Sequence, residues 1–415
     1  MAGGPGFEPR LPGSEPGVLP LNYPPSGVSP LGTSAAGSTH PDGVQPWRTP
    51  RYRGRLHHLD STAMNPPAVA PTVVEPRTAP AGASFAALDL GTNNCRLMVA
   101  ARLGSGFRVL DSLSRIVRLG DGLHDSGILS EASMARAMTA LHECADRLAR
   151  RRVRAVRAVA TEACRRARNG AEFLARVRCE TGLAFDIVST REEAELAMEA
   201  CAPLLAPLAA SGERRAVLFD IGGGSTEISW VRLAGSGSQP QLIGTVSLPV
   251  GVVNLAGRGH HDFEAIVSDV AAALLDFEAV HRIGQEVRRG GVVLLGTSGT
   301  VTTLAGVALE LPRYRRPLVD GVILSAGDAA KAVALLRGLG PAGLATHPCV
   351  GLERMDFVLP GCAIFAAIHR VWPAPRIVVA DRGLRDGVLL RLMRADNAPR
   401  RGRLAGPPAY AIHPA

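Results

Sequence analysis

The stretch LFDIGGGSTEISWV, residues 218–231, consists of an apolar run, an aspartate, a glycine-rich turn and a second apolar run. The stretch ALDLGTNNCRLMVA, residues 87–100, repeats this design, with Asp89 in the place of Asp220. Apolar runs on both sides of a glycine turn predict two buried strands that form a hairpin. Because the chain contains this hairpin twice, we predict a duplicated α/β domain, with two sheets that face each other across a cleft.

Strand and helix patterns alternate from Ala83 to about residue 395, and the pattern of the first hairpin begins again near residue 215. They predict a helix at 130–151 that Ser130 can cap, a strand around LIGTVSLPVGVVNLA and a helix at 262–281. A chain of 415 residues is too long for one ordinary core. We therefore predict a first domain at residues 83–197 and a second domain at residues 198–395.

The two ends of the chain lack this pattern. Residues 1–82 are dense in Pro, Gly and Ser and are predicted to be a disordered extension, and residues 396–415 are predicted to be a loose tail. Met64 stands just before the folded pattern and offers a second start of translation. Residues 1–63 are therefore a candidate mis-annotated extension, which mass spectrometry of the native N-terminus would test.

The composition limits the compartment and the partners. The formal net charge of +9 favours an anionic partner, although an arginine-rich coding bias also contributes, since Lys331 is the one lysine. Aromatic residues make up 4% of the chain and the basic residues are dispersed, which makes nucleic acid the weakest partner class. Seven cysteines without a Cys-x-x-Cys pair indicate a reducing compartment, with neither a zinc site nor a disulfide framework.

No signal-peptide pattern opens the chain, and the uncharged stretch at residues 290–309 is interrupted by glycines and hydroxyl residues. This stretch is more typical of a buried strand, turn and helix than of a membrane span. We therefore expect a soluble, cytoplasmic protein that does not bind membranes.

The turns of both hairpins are suited to phosphate. Glycine-rich turns after buried strands leave backbone N–H groups free to bind an anion, although they also occur as purely structural turns. A third loop of this type, GTSGT, follows another apolar strand. The candidate phosphate-binding residues are Thr92, Asn93, Asn94, Gly222, Gly223, Gly224, Ser225, Thr226, Ser298 and Gly299.

Three carboxylates lie at or beside these turns: Asp89, Asp220 and Glu227. A carboxylate next to bound phosphate is repulsive unless a hard cation or a held water lies between them. Asp220 and Glu227 are therefore candidate ligands of Mg²⁺ or another divalent cation. For Asp89, metal binding and a purely structural role in its own turn stay equally open.

Residues between the two hairpins supply a candidate base and a candidate cation. Hydrolysis of a phosphoanhydride needs a carboxylate that orients or deprotonates water. The segment STREEAELA, residues 189–197, contains two adjacent glutamates, Glu192 and Glu193. The alternative is that both glutamates are solvated at a helix start. Arg165 can hold phosphate in a bidentate contact, or it can belong to an ordinary exposed basic cluster.

The chain resembles the exopolyphosphatase / guanosine pentaphosphate phosphohydrolase (Ppx/GppA) family in the type and order of its motifs between Phe85 and Met393. These motifs are ALDLGTNNCRLMV, RIVRLGDGL, ATEACRRARN, REEAELA, FDIGGGSTEI, GTSGTVTTLA, LPGCAI and ADRGLRDGVL. The family belongs to the superfamily of actin, hexokinase and the heat-shock ATPases. The resemblance implies two ribonuclease-H-like domains that flank a cleft, and Mg²⁺-dependent release of terminal phosphate from polyphosphate or pppGpp.

The resemblance also implies roles for single residues. Glu193 is similar to the catalytic base, and Asp220 and Glu227 are similar to the catalytic carboxylates that bind the metal and orient the water. The positions that correspond to phosphate contacts are Asn93, Arg165, Gly222–Ser225 and Ser298.

The chain departs from the family pattern in two respects. Thr190 and Arg191 stand before the acidic pair, where the family has glycine after the serine, and Arg191 is expected to add a cation beside Glu193. The pattern ends near residue 395, so the C-terminal helical domains of long members are expected to be missing.

Two other functions stay open. An ATP-dependent kinase of the same superfamily would use similar phosphate loops, and a non-catalytic sensor would bind polyphosphate or an alarmone. The choice between polyphosphate and pppGpp also stays open, and the family resemblance implies a possible homodimer.

Overall fold

The computed structural model describes residues 83–104, 106–234, 239–257 and 262–397. The predicted N-terminal extension and most of the predicted C-terminal tail lie outside these residues. The strands are β1 (Ser84–Leu90), β2 (Asn94–Leu103), β3 (Gly106–Ile116), β4 (Val153–Ala160), β5 (Phe185–Ile187), β6 (Arg215–Ile221), β7 (Thr226–Arg232), β8 (Gln241–Leu248), β9 (Val292–Thr297), β10 (Ile323–Ser325) and β11 (Arg376–Val379).

The helices alternate with these strands along the chain. They are α1 (Leu123–Ser126), α2 (Glu131–Ala149), α3 (Glu162–Arg166), α4 (Gly170–Thr181), α5 (Thr190–Ala210), α6 (Val252–Gly257), α7 (Phe263–Ala273), α8 (Leu275–His281), α9 (Ile283–Arg289), α10 (Ser298–Ala308), α11 (Arg316–Val319), α12 (Ala326–Gly338), α13 (Gly340–Thr346), α14 (Met355–Val371) and α15 (Leu384–Asn397).

The strand order shows the duplication directly. The first sheet has the order β3-β2-β1-β4-β5, and the second has the order β10-β11-β9-β6-β7-β8. In both sheets an antiparallel meander of three strands (β1-β2-β3 and β6-β7-β8) continues through parallel strands (β4-β5 and β9-β11). The predicted α/β class with two sheets is therefore confirmed.

Both faces of each sheet are covered by helices, which explains why the central strands read as nearly continuous apolar runs. On the first sheet, Leu88 and Leu97 pack with Leu141 of α2 and Phe173 of α4. The outer face of the second sheet packs against a larger cluster that includes residues of α7, α10, α12 and α14.

Helices α5 and α15 pack between the two halves. Met198 and Cys201 of α5 contact the second sheet, while Leu196 of the same helix packs with Val388 of α15 and Phe85 of the first sheet. The two helices approach closely, since a Cβ at Gly387 would lie 2.1 Å from the carbonyl oxygen of Leu196. The predicted boundary at residues 197/198 falls inside α5, and the exact domain limits remain a prediction.

Short sequence patterns predicted most of the helices and strands. Ser130 caps α2 as predicted, because its hydroxyl accepts a hydrogen bond from the Ser133 N–H at 3.2 Å. The uncharged stretch at 290–309 contains β9 and α10, and no helix in the described part of the chain is long and apolar enough to cross a membrane.

Three details differ from the sequence expectation. The predicted strand through VVNLA ends at Leu248, before Pro249, and these residues form α6 instead. The predicted helix at 262–281 breaks at Leu274 into α7 and α8. The short edge strand β10 was missed because three residues between two helices carry no period.

Candidate active site

The two predicted hairpins have the same turn. In the first, the Gly91 N–H donates to the Asn94 carbonyl oxygen at 2.9 Å, and in the second the Gly222 N–H donates to the Ser225 carbonyl oxygen at 2.9 Å. Each turn joins two antiparallel strands and begins two residues after its aspartate, so both turns present their free backbone at the same edge of their sheets.

The two turns meet. A Cβ at Gly223 would lie 3.1 Å from the Cβ of Asn93, and a Cβ at Gly224 would lie 2.7 Å from the Thr92 hydroxyl oxygen. Glycine is needed here because the turn of one half approaches the turn of the other too closely for a side chain. The structure thus brings together the two phosphate loops that the sequence places in separate domains.

A third loop completes this group. Ser298 begins α10 directly after β9, with φ at 97°, a value that favours glycine. Ser298 Oγ, Thr297 Oγ1 and Asn93 Oδ1 are buried atoms without a hydrogen-bond partner among the described residues. A non-glycine residue in the left-handed region and unpaired polar atoms at a helix N-terminus are both typical of ligand sites.

Not every predicted phosphate residue offers its side chain. The Thr226 hydroxyl donates to the Val250 carbonyl oxygen at 2.7 Å, and Thr92 is 7% exposed and packed against Gly224. The Ser225 hydroxyl donates a hydrogen bond to the Glu227 carboxylate. The backbone N–H groups of Gly223 and Gly224 remain for an anion, because they have no acceptor in the described part of the chain.

Glu227 is the second residue of β7 and lies beside the turn of the second hairpin. It is the cross-strand partner of Asp220, and its Oε1 accepts hydrogen bonds from the hydroxyls of Ser225 at 2.5 Å and Ser247 at 2.9 Å. Burial and the nearby Asp220 raise the pKa of Glu227 to about 7, although the two serine hydroxyls and Arg165 act in the opposite direction. Burial also raises the pKa of Asp220.

Glu193, in the first turn of α5, faces Glu227 and Arg165. Arg165 Nη1 lies 3.1 Å from Glu193 Oε2 and 2.7 Å from the Val188 carbonyl oxygen, and Arg165 Nη2 lies 3.1 Å from Glu162. Burial, and secondly the charge of Glu227, raise the pKa of Glu193 well above its usual value, while Arg165 lowers it. These contacts place the candidate base, the candidate cation and the candidate metal carboxylates in one site.

The neighbouring acidic and basic residues of α5 point elsewhere. Glu192 Oε1 pairs with Arg157 at 2.7 Å and with Arg391 at 3.3 Å. The expectation that Arg191 adds a cation beside Glu193 is wrong, because Arg191 pairs with Glu195 at 3.0 Å, one turn further along the exposed face. Of the two adjacent glutamates, only Glu193 therefore faces the phosphate loops.

Asp89 has a different environment from Asp220. Its cross-strand partner is Arg96, and Arg385 also faces it. Burial raises the pKa of Asp89, and these two guanidinium groups lower it. The charges of Asp89 and Arg96 also act on Asp220, so the two aspartates of the duplicated turns lie in one electrostatic neighbourhood.

The sequence interpretation missed several residues of this site. Arg96 could have been found by aligning the hairpins, since it occupies the position of Glu227. Ser247 lies on β8 and carries no sequence signal for its contact with Glu227. Arg118 and Arg354, which lie beside the first and third loops, belong to segments that the sequence did not connect.

The donor set is compatible with a cation that is held jointly by protein and substrate. Among the described residues, no group of three or more His, Cys, Asp and Glu side chains could hold a metal ion by itself. Asp220 and Glu227 form a carboxylate pair with no directly bound arginine or lysine in this part of the chain. Mg²⁺ is typically bound by one or two carboxylates, with water and substrate phosphates as its other ligands.

Comparison with known proteins identifies a family and several similar structures. The model of the Ppx/GppA phosphatase family matches residues 98–396. The chain is similar to the solved structure of an exopolyphosphatase-like protein, with 25% identity and a TM-score of 0.68, covering 77% of this chain and 100% of that one.

Two further solved structures are similar. A Ppx/GppA family member from Aquifex aeolicus is 26% identical, with a TM-score of 0.61, covering 77% of this chain and 100% of that one. An exopolyphosphatase from Cytophaga hutchinsonii is 21% identical and has the same fold, with a TM-score of 0.63, covering 75% of this chain and 98% of that one. The predicted fold of two ribonuclease-H-like halves that flank a cleft is confirmed, and the chain belongs to the Ppx/GppA phosphatase family.

Proposed function

We propose that this protein is a phosphoanhydride hydrolase that releases the terminal phosphate from inorganic polyphosphate or from pppGpp. The observation that carries this proposal is the approach of three phosphate-type loops to the carboxylates of Asp220, Glu227 and Glu193. Among the described residues, Arg165 is the one cation that forms an ion pair with Glu193. The family and the names of the similar solved structures support phosphatase activity in general.

The loops of the two halves supply the phosphate site. Free N–H groups of the glycine turn, together with the Asn93 side chain and the N-terminus of α10, would surround the terminal phosphate. Because the turns come from separate sheets, a phosphate bound beside their contact would be held by donors from both halves. Fixed donors of this type stabilise negative charge that develops as the terminal phosphate leaves.

Glu193 would activate the attacking water. A raised pKa makes a carboxylate a stronger base, and the burial of Glu193 beside Glu227 has this effect. Arg165 holds the carboxylate at 3.1 Å and fixes its direction through a second contact with the Val188 carbonyl oxygen. Arg165 can also bind the phosphate, because a guanidinium has several donors.

Asp220 and Glu227 are the residues that would hold a divalent cation. When bound, Mg²⁺ supplies positive charge that neutralises phosphate oxygens and the adjacent carboxylates. Ser225 and Ser247 fix the Glu227 carboxylate by hydrogen bonds, as outer-shell groups typically do for metal ligands. Asp89 faces Arg96 and Arg385, and it is better suited to balance their charge than to hold the cation.

The test is release of phosphate, with Mg²⁺, from polyphosphate, pppGpp and ATP side by side. We expect one or both of the first two to be hydrolysed, and Glu193→Gln to lower the rate by roughly 100- to 10 000-fold, the range of general-base catalysis. Binding of the substrate should persist in this variant.

Glu192→Gln is the matched control, because it is the same change at the adjacent residue, which faces Arg157 and Arg391 instead of the loops. Equal losses in both variants would argue against Glu193 as the base. If only ATP binds, tightly and without hydrolysis, the kinase becomes the better explanation, and polyphosphate binding without turnover would favour the sensor.

A further inference from the structure

The side chain of Arg118 links the two halves at the cleft. Arg118 follows β3 in the first half, and its guanidinium carbon lies 5.9 Å from the centre of the Phe357 ring, in the first turn of α14 in the second half. A guanidinium over an aromatic face at this distance is a cation–π contact. The contact is independent of the catalytic carboxylates described above.

The backbone of Arg118 is fixed to the first phosphate loop. The Arg118 N–H donates to the Asn93 carbonyl oxygen at 3.0 Å, and the Val117 N–H donates to the same oxygen at 2.8 Å. Arg136 donates to the carbonyl oxygens of Val117 at 2.9 Å and Arg118 at 3.1 Å. Arg118 therefore stands directly beside the turn that would hold the terminal phosphate.

Arg118 also has an unusual backbone conformation. Its φ is 45°, in the left-handed region that L-residues with long side chains rarely adopt. Such strain persists only where surrounding contacts impose it, and it occurs preferentially at ligand sites. Here the hydrogen bonds with Asn93 and Arg136 hold the backbone of Arg118 in this conformation. In this conformation its side chain contacts Phe357.

The guanidinium of Arg118 is available to an anion. The residue is exposed, and in the described part of the chain its side chain has no ion pair with a carboxylate. Arg354 lies beside the third loop, with its Nη1 3.9 Å from the position that a Cβ of Gly299 would occupy. Arg354 is also exposed, and it forms no ion pair among the described residues. One unpaired cation thus lies outside each of two phosphate loops.

We infer that Arg118, positioned by Phe357, binds the phosphates that follow the terminal phosphate, and so determines the preference for long phosphate chains. This inference rests on the proposed function, because it assumes that the terminal phosphate lies between the loops. The ligand class is a linear chain of phosphoanhydride-linked phosphates. A guanidinium binds such a chain well, since its planar fork matches phosphate oxygens, and the ring holds it in place without competing for its N–H donors.

The test compares KM and kcat for tripolyphosphate and for a long polyphosphate. We expect Arg118→Gln to raise KM for the long chain about tenfold, as for loss of one charge-assisted hydrogen bond, with kcat nearly unchanged and a much smaller effect on tripolyphosphate. Arg118→Lys, which keeps the charge, should recover part of the loss. Phe357→Leu should raise the same KM about threefold, since it removes only the cation–π contact.

Arg108→Gln is the control, because Arg108 is an exposed arginine at the opposite end of β3 from the first loop, where it pairs with Ala101. An equal rise in KM in this control would show a general charge effect and overturn the inference. Unchanged long-chain KM in Arg118→Gln, or a loss of kcat alone, would also overturn it.

Calorimetric titration with the long polyphosphate separates this inference from the proposed function. If the parent protein binds the chain without hydrolysing it and Arg118→Gln binds about tenfold more weakly, the inference stands while the proposed hydrolysis fails. If the parent and Arg118→Gln bind equally, or if the parent does not bind at all, the inference is wrong.

Discussion

The hairpins β1–β2 and β6–β7 have the same turn and the same register but carry different charges. Seven positions after the aspartate, the first hairpin has Arg96 and the second has Glu227, each paired across the strands with its own aspartate. In the first hairpin the partner of Asp89 is a cation. In the second, the partner of Asp220 is another acid, and the pKa of that acid is raised to about 7.

This difference shows what a duplicated fold supplies and what it does not. The fold supplies two equivalent backbone turns that meet, through Gly223 and Gly224 on one side and Thr92 and Asn93 on the other. The charges are not duplicated: the first hairpin is balanced internally, whereas the second concentrates negative charge that a cation can neutralise. We therefore expect the first hairpin to contribute mainly shape and the second mainly chemistry.

The largest effect is expected from replacing the charged side chains at the two equivalent positions, Glu227 and Arg96, by glutamine. Glu227→Gln should lower phosphate release by roughly 100- to 1000-fold, as for removal of one preorganised electrostatic group, without lowering Tm. Arg96→Gln should lower Tm, because it leaves the buried Asp89 with one fewer cation. The measurements are initial rates and differential scanning calorimetry of both variants.

A lower Tm in Glu227→Gln, or a larger loss of activity in Arg96→Gln than in Glu227→Gln, would contradict this division of roles.

An intermediate effect is expected where the two turns meet. Gly224→Ala would place a methyl group 2.7 Å from the Thr92 hydroxyl and 3.0 Å from its methyl group. We expect the free energy of unfolding to fall by about 1–3 kcal/mol, with a rise in KM as the loops separate. Denaturant unfolding and steady-state kinetics would measure both.

Thr92→Ala tests the cause of this effect, because it removes both the hydroxyl and the methyl group that a Cβ at Gly224 would meet. The double variant should recover part of the loss if the clash is responsible. Additive losses in the double variant would mean that Gly224 acts through its own turn instead.

The smallest effect is expected from removing the arginine that stands before the acidic pair. Arg191→Gly removes an exposed ion pair with Glu195, which is worth at most about 1 kcal/mol. Because the guanidinium does not face Glu193, kcat should change less than twofold relative to the parent. A large change in kcat would show that Arg191 acts on the catalytic carboxylate after all.

The sequence predicted the parts of the molecule that depend on local pattern. Both hairpins, the Ser130 cap and the third loop follow from runs of apolar residues and turn residues that lie next to each other. The choice between Glu192 and Glu193 could not be predicted, since successive helical residues point about 100° apart and packing against Arg157, Arg165 and Arg391 decides which one faces the loops.

Contacts between segments that are far apart in the sequence could not be predicted either. Nothing in RIVRLGDGL indicates that Arg118 reaches a phenylalanine of α14, because the contact depends on how the halves fold together. Thr226 and Thr92 were predicted to bind phosphate from their place in the turns, but their side chains are used for internal packing and hydrogen bonding. Mg²⁺, the cytoplasmic location and the homodimer remain predictions.

The most direct test of the comparison is the Mg²⁺ dependence of phosphate release in Asp220→Asn and Asp89→Asn, which are the same change in the two equivalent turns. We expect Asp220→Asn to lose at least about 100-fold in rate and to need more Mg²⁺ for half-maximal activity. Asp89→Asn should stay within about tenfold of the parent, with an unchanged Mg²⁺ requirement. If Asp89→Asn loses as much activity as Asp220→Asn, or shifts the Mg²⁺ requirement as far, the two hairpins share the metal and the division of roles is wrong.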